Sequence, residues 1–214
     1  MKVIVMNEQE WMKIRSRLED AETLSPAEKV AAWEALDRPV PPPSAYKQQL
    51  VREYAARFTI NTLVETGTWH GDMVDASLDH FDHIYSIELG QKLAHRAIKR
   101  FADCNNVSIR QGDSTRVLPA VMDEINEPTL FWLDAHYSMG DTAKGELFTP
   151  IRQELAAILG HHIKGHVILI DDAREFLGRA DYPSVVEIQD QVLNAWPRAN
   201  ISTEHDVIRI VPAA

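Results

Sequence analysis

Cysteine is nearly absent from this chain, which carries a single thiol at Cys104. One cysteine cannot form an intrachain disulfide, and it excludes a cysteine-rich zinc site. Long apolar runs are missing too: no stretch of about 18 apolar residues occurs, so we expect no membrane span. The N-terminal sequence MKVIVMNEQEW has too short an apolar stretch for a signal peptide. These absences predict a cytoplasmic protein.

Positive charge is also scarce. The 214 residues include 22 Lys and Arg against 32 Asp and Glu, which gives a formal net charge of −10. Proteins that bind nucleic acid or anionic membrane usually present a basic face. We therefore expect no nucleic-acid partner and no membrane partner, and a small-molecule ligand instead. The apolar share of 45% is ordinary for a globular protein.

Short apolar segments alternate with amphipathic helical patterns from about residue 59 onward. This alternation is typical of βαβ units and a parallel sheet. We predict an α/β fold with a Rossmann-like open sheet of about seven strands, mostly parallel with an antiparallel edge. The predicted strands are 61–66, 83–88, 106–110, 129–135, 166–172, 200–204 and 206–211.

The first 58 residues have a different, mainly helical pattern. Ser25, Pro26 and Glu28 form a capping box with proline at the first helical position. The proline-rich segment 38–44 then ends that helix and predicts an extended linker. We predict a helical extension at residues 1–58 and one domain at 59–214. The extension either covers the site or forms a homodimer contact, and the sequence leaves both open.

The segment VETGTWHGD, residues 64–72, follows the first predicted strand and carries two glycines four residues apart. Open α/β sheets bind ligands at the carboxyl ends of their strands, so polar residues there are candidates. Glu88 lies 23 residues beyond Glu65, a spacing at which a carboxylate reaches ribose hydroxyls. The candidates at the first three strand ends are Glu65, Gly67, Thr68, Gly71, Glu88, Asp113 and Ser114.

The charges around these glycines indicate what kind of nucleotide would bind. No lysine or arginine occurs from Phe58 to Gln91. Phosphate-binding loops often add a lysine, and carboxylates repel phosphate. The loop also lacks the GxGxxG and GxxxxGK[ST] patterns. We infer a phosphate-free nucleoside that carries positive charge, which fits S-adenosylmethionine (SAM). The acidic residues of the stretch are Glu65, Asp72, Asp75, Asp79, Asp82 and Glu88.

Three aspartates follow the fourth and fifth predicted strands: Asp134, Asp171 and Asp172. Carboxylates that converge without a basic partner repel each other, and their pKa values rise. A divalent cation removes that repulsion, and ligands that are all oxygen favour Mg²⁺. We predict a metal site there, with the near-neutral pKa of His136 suiting a general base. The alternatives are ordinary strand-end acids, and a histidine that packs or orients the metal.

VETGTWHGD, followed by YSIEL and QGDS, resembles the first three motifs of class I SAM-dependent methyltransferases over about residues 60–212. The resemblance implies that the first-strand residues line the methionine side of SAM and that Glu88 holds the ribose hydroxyls. It places Asp113 and Ser114 near the adenine. The first-strand residues are Glu65, Gly67, Thr68 and Gly71.

The three aspartates are similar to those of metal-dependent O-methyltransferases of the catechol and macrocin types, and to cephalosporin-hydroxylase-like proteins. That resemblance implies a metal that holds the acceptor oxygen. The sequence departs from the catechol enzymes, which carry a lysine shortly after the first of these aspartates. Here His136 lies two residues after Asp134, and the nearest downstream lysine is Lys144.

The sequence thus predicts a SAM-dependent methyltransferase that performs metal-dependent O-methylation of a small hydroxylated acceptor, a sugar or a natural product. The alternatives are a metal-independent methyltransferase and a nucleoside-binding module without catalysis. The loop 137–150 is expected to gate the site. Arg174 is expected either to meet an acidic acceptor or to be solvated. His161, His162 and His166 are predicted to lie on the surface.

Overall fold

The structure, a computed structural model, describes residues 7–135 and 149–213. The chain divides into two units, the first ending at Leu50 and the second beginning at Val51. The division falls inside a helix, so the predicted domain boundary at residue 58 stays a prediction. The helices of the N-terminal part are α1 (Glu8–Glu19), α2 (Pro26–Ala35) and α3 (Ser44–Phe58).

Two buried tryptophans organise the first unit. Trp11 and Trp33 are almost fully buried, and each must place its indole N–H against an acceptor. The Trp11 indole donates to the carbonyl of Pro41 at 2.9 Å, and that of Trp33 donates to the carbonyl of Pro39 at 2.8 Å. The predicted proline-rich linker thus supplies both acceptors. The capping box at Ser25 is confirmed as the start of α2.

A seven-stranded sheet forms the second unit, in the order β3-β2-β1-β4-β5-β7-β6. The first five strands are parallel, and β7 runs antiparallel to both β5 and β6. The predicted sheet is confirmed, including its antiparallel edge. The strands are β1 (Thr62–Thr66), β2 (His83–Glu88), β3 (Val107–Gln111), β4 (Leu130–Leu133), β5 (Val167–Ile170), β6 (Asn200–Glu204) and β7 (Val207–Val211).

Helices connect the strands and cover the sheet. Every residue of β1, β4 and β5 is buried, which explains why β4 and β5 are apolar throughout. The chain crosses away from β1 in both directions, to β2 and to β4, so a crevice opens at the carboxyl ends of these strands. The helices are α4 (Asp72–Ser77), α5 (Gln91–Arg100), α6 (Ser114–Glu124), α7 (Ile151–Gly160) and α8 (Val185–Ala195).

No helix within the described ranges has both the length and the apolar character needed to cross a membrane.

The prediction that three histidines lie on the surface is wrong for two of them. His162 is exposed, but His166 is fully buried and His161 nearly so. The backbone N–H of Thr129 donates to His166 Nδ1 at 3.1 Å, so the proton of this neutral ring is on Nε2. His166 Nε2 then donates to His161 Nδ1 at 2.9 Å. Burial, followed by the positive charge that His161 can carry, lowers the pKa of His166 to about 4.

Acid should therefore remove the contribution of His166 to stability. Its folded pKa lies below the ordinary value, so below about pH 6.5 the unfolded chain binds more protons at this residue, and its contribution falls as the pH drops towards 4. Moving from about pH 7 to about pH 5 should cost the wild type roughly 2 kcal/mol more than His166→Asn. Urea unfolding at both pH values measures this, with the exposed His95→Asn as control. An unchanged pH slope in His166→Asn would contradict it.

Candidate functional site

A close backbone approach shapes the loop between β1 and α4. Gly67 has a φ of +91°, and a Cβ there would lie 2.6 Å from the carbonyl oxygen of Asp134. Its N–H donates to the carbonyl of Ile87 at 2.9 Å, while the N–H of Asp134 donates to Thr66 at 3.0 Å. Only glycine has both the conformation and the space for this position. The loop is therefore bound to the ends of β2 and β4.

Gly71 ends the same loop and begins α4. It has a φ of +85°, and an added Cβ would meet the ring of Phe101 at 2.7 Å. The two glycines of the predicted cofactor loop thus have separate packing reasons. One lets the backbone pass the end of β4, and the other lets it pass the end of α5.

A cation from α5 reaches this acidic loop. Arg100 donates to the carbonyl of His70 at 2.7 Å and to Asp72 at 3.1 Å, and it pairs with Asp75 at 3.2 Å. The segment from 58 to 91 has no basic residue of its own, but the fold supplies one. Because Arg100 already serves two carboxylates, the inference of a phosphate-free ligand is compatible with its presence.

Glu65 is a buried carboxyl at the end of β1. Ser86 donates to it from β2, and the Ser86 hydroxyl is 2.6 Å from that of Thr68. Burial raises the pKa of Glu65 to about 8, and the negative charges of Asp134 and Glu88 raise it further. The hydrogen bond from Ser86 acts in the opposite direction and lowers the pKa. Near neutral pH this carboxyl is mostly protonated, and a bound cation would favour its ionised form.

Glu88 connects the end of β2 to the glycine loop. One carboxylate oxygen accepts the N–H of Trp69 at 2.9 Å, and the other accepts the N–H of Gly90 at 2.7 Å. Glu88 is buried, with 6% of its surface exposed. Each oxygen retains a second lone pair, so the group can hold the loop and still accept ribose hydroxyls. Ribose binding by Glu88 stays a prediction.

Asp113 has a structural role at the start of α6. Its Oδ1 accepts the backbone N–H of Thr115 at 2.9 Å and the hydroxyl of the same residue at 2.7 Å. It is therefore the N-cap of α6, and Ser114 is the buried first residue of that helix. The predicted adenine-side role of this pair is not tested by these contacts.

Arg174 pairs with one of the three strand-end aspartates, Asp172, and with Asp206. Its Nη1 donates to Asp172 Oδ1 at 2.8 Å and also to the carboxylate of Asp206, whose side chain is 1% exposed. The backbone N–H of Arg174 donates to Asp206 as well, at 2.8 Å. The premise that these aspartates converge without a basic partner is therefore wrong for Asp172. The Arg174 side chain is 36% exposed, so it is solvated as well as paired, and contact with an acidic acceptor stays a prediction.

The described residues alone do not fit the predicted magnesium centre. Within residues 7–135 and 149–213, no group of three His, Cys, Asp or Glu side chains is placed to hold a metal ion. The role of Asp134, Asp171 and Asp172 as metal ligands therefore stays a prediction. The predicted base His136, Lys144 and most of the predicted gating loop lie outside the described residues.

The sequence interpretation missed four side chains at this edge of the sheet: Ser86, Arg100, Glu154 and Asp206. Three of them are joined to the site by contacts between residues far apart in the chain. Glu154 did leave a signal, because it falls on the apolar stripe of α7 between Ile151 and Ile158. An acid on a buried stripe indicates a special role.

Comparison with known proteins gives matches in structure only. No protein-family model matches the chain, and no curated protein matches it in sequence. The fold is similar to the O-methyltransferase TomG from Streptomyces achromogenes, involved in tomaymycin synthesis and solved with SAM. The identity is 15%, the match covers 98% of this chain and 100% of TomG, and the TM-score is 0.61.

Two further structures match over nearly the whole chain. An O-methyltransferase from Bacillus cereus in complex with S-adenosylhomocysteine (SAH) is 17% identical, covers 95% of this chain and 99% of its own, and has a TM-score of 0.60. The SAH-bound methyltransferase PaMTH1 from Podospora anserina is 14% identical, covers 100% of both chains and has a TM-score of 0.57. The chain therefore has the fold of class I SAM-dependent methyltransferases.

Two glycine substitutions test the close approach in the loop. Gly67→Ala should destabilise the fold by about 2 to 5 kcal/mol, because the methyl group meets the Asp134 carbonyl in a strained conformation. Gly160→Ala is the matched control: a Cβ there has nothing within 4 Å, so stability should stay equal or rise by up to about 1 kcal/mol. Urea unfolding compares them. Equal stabilities would contradict the packing argument.

Proposed function

We propose that this protein is a SAM-dependent methyltransferase that methylates an oxygen of a small hydroxylated acceptor, a sugar or a natural product. The observation that carries the proposal is the buried acidic edge at β1 and β2. There Glu65, the glycine loop and Glu88 adjoin one another without a lysine. The proposal is also supported by the similarity of the fold to solved O-methyltransferases, which match 98% and 95% of this chain.

The edge suits SAM by charge and by shape. When bound, SAM would supply the methyl group from its sulfonium, and the neutral thioether of SAH would be the leaving group. Gly67 and Gly71 let the loop backbone approach the ligand, Glu65 would accept the ammonium group, and Glu88 would accept the ribose hydroxyls. The negative potential of the edge favours a cationic ligand. Most of the rate enhancement would come from holding the two reactants in line, with His136 as the predicted base.

The metal-independent form of this activity is favoured by one contact. Arg174 already pairs with Asp172 at 2.8 Å and with Asp206 beside it, so one positive charge is present at the end of β5. The metal-dependent form stays a prediction that rests on resemblance. A small-molecule acceptor, a cytoplasmic location and homodimer formation through the N-terminal helices likewise stay predictions. A nucleoside-binding module without catalysis is the remaining alternative.

Titration of SAH into the purified protein tests the proposal first. We expect one-to-one binding with a Kd in the micromolar range, about −8 kcal/mol. Glu88→Gln should weaken it by about tenfold or more, because hydrogen bonds to a charged acceptor are stronger. The control Asp82→Asn removes the same charge from an exposed position of the same acidic stretch. If the folded wild type binds no SAH, the proposed function is wrong.

Binding should also release a proton from Glu65. With a pKa of about 8 in the free protein, this carboxyl is about nine-tenths protonated at neutral pH and would ionise against the ligand ammonium. Calorimetry in buffers of different ionisation enthalpy counts the protons. The wild type should release about 0.9 proton more than Glu65→Gln near pH 7, and the difference should vanish near pH 10. Equal proton counts near pH 7 would contradict this role.

Manganese tests the two forms of the proposal. Because Arg174 balances Asp172, we expect Mn²⁺ at about 1 mM, in a range where weak sites still fill, to leave the melting temperature of the SAH-bound wild type unchanged. The melting temperature of SAH-bound Asp171→Asn should likewise be unchanged by Mn²⁺. A shift in the wild type that Asp171→Asn abolishes would instead establish the metal-dependent form.

A further inference from the structure

Glu154 is a buried acid to which the proposed mechanism gives no task. It lies in the first turn of α7, is 1% exposed, and stands beside Leu155 and Ile158 on the face that packs into the core. A carboxyl in such a place is costly unless it is paired or protonated. Its position near the carboxyl ends of the strands makes a purely accidental burial a poor explanation.

The neighbours of Glu154 belong to the two sides of the proposed SAM site. The hydroxyls of Ser114 and Thr66 face its carboxyl and lower its pKa, while burial, the largest effect, raises it, as do the charges of Asp113 and Asp134. The net pKa is about 7. Thr66 precedes the glycine loop, and Ser114 begins α6. One side chain therefore touches both the methionine side and the adenine side of the site.

The contact between these groups is incomplete. Among the described residues, Glu154 Oε1 and Thr66 Oγ1 are buried and complete no hydrogen bond. Buried polar atoms in folded proteins nearly always have a partner, so such a pair needs a reason. Contacts at catalytic sites are often long without ligand and shorten when it binds. A small inward movement of β1 or α6 would complete this one.

We propose that Glu154 is a positioning residue for the cofactor, whose carboxyl joins the end of β1 to the first turn of α6 when SAM or SAH fills the crevice. This inference rests on the proposed function. The ligand would span from the glycine loop to α6, so the separation of these elements sets its fit. Glu154 is well placed to hold that separation because its carboxyl faces a hydroxyl on each.

The protonated form of the carboxyl does this best. It donates to one hydroxyl and accepts from the other, whereas the ionised form can only accept and is repelled by Asp113 and Asp134. Ligand binding should therefore favour protonated Glu154. In the free protein the pKa of Glu154 is about 7. Above that pH the affinity for SAH should fall as the pH rises, because Glu154 must take up a proton before SAH binds.

The experiment is calorimetric titration of SAH into the wild type and Glu154→Gln between about pH 6 and about pH 8.5. Glutamine donates and accepts like the protonated acid and does not titrate. The ratio of the wild-type Kd to the Glu154→Gln Kd should stay near one at about pH 6 and rise about thirtyfold by about pH 8.5. Comparison by ratio removes the contribution of Glu65, which is the same in both proteins.

Two further variants separate positioning from simple packing. Glu154→Ala and Thr66→Val each break the connection, so each should weaken SAH binding by about tenfold near pH 6, and together they should do little more than either alone. Asp190→Asn, an exposed acid on α8, is the control and should bind as the wild type does. Circular dichroism confirms that each variant is folded; if Glu154→Ala is not, the comparison with Glu154→Gln still decides.

The outcomes distinguish this inference from the function on which it rests. If the folded wild type binds no SAH, the proposed function fails and the role of Glu154 fails with it. If the wild type binds SAH but the Kd ratio to Glu154→Gln stays constant with pH, the inference alone is overturned. A constant ratio far from one would show that Glu154 matters only for packing.

Discussion

The passage of the Gly67 backbone across the Asp134 carbonyl is the constraint on which the site depends. With a Cβ excluded at 2.6 Å, the loop after β1 lies directly against the end of β4, and its N–H is taken by the end of β2. Three neighbouring strands thus end at one fixed point. The buried Glu65 and the loop residues of the proposed SAM site take their places from that junction. A looser loop would leave the same side chains without a common geometry.

The acidic edge is balanced in three different physical ways. Glu65 is protonated near neutral pH because it is buried. Asp72 is exposed and paired with Arg100, and Asp172 is paired with Arg174. The first group would change charge on binding a cation, while each of the other two shares an arginine with a second carboxylate. A ligand would therefore meet one carboxyl that responds to it and a surrounding set of charges that does not.

Most of the fold could be predicted from local sequence patterns. Most of the features that could not be predicted depend on contacts between residues far apart in the chain. The capping box of Ser25 and Glu28 joins residues three apart and is confirmed as the start of α2, and the apolar strands β4 and β5 could be predicted because each is buried along its whole length. By contrast, Arg174 and Asp206 are 32 residues apart, and sequence offers no sign that they pair. His166 was missed for the same reason, since its partner Thr129 lies on the far side of α7 in sequence.

The turn between β6 and β7 supplies a buried carboxylate, that of Asp206, to Arg174. His205 and Asp206 both adopt positive φ there, and the Asp206 carboxylate turns inward to hold Arg174. Exposed hairpin turns are usually where chains accept inserted residues or grafted peptides. Here any change in turn length would withdraw a buried carboxylate from its arginine and loosen the segment after β5. The hairpin that looks most suitable for a tag or a loop graft is therefore one that engineers should leave intact.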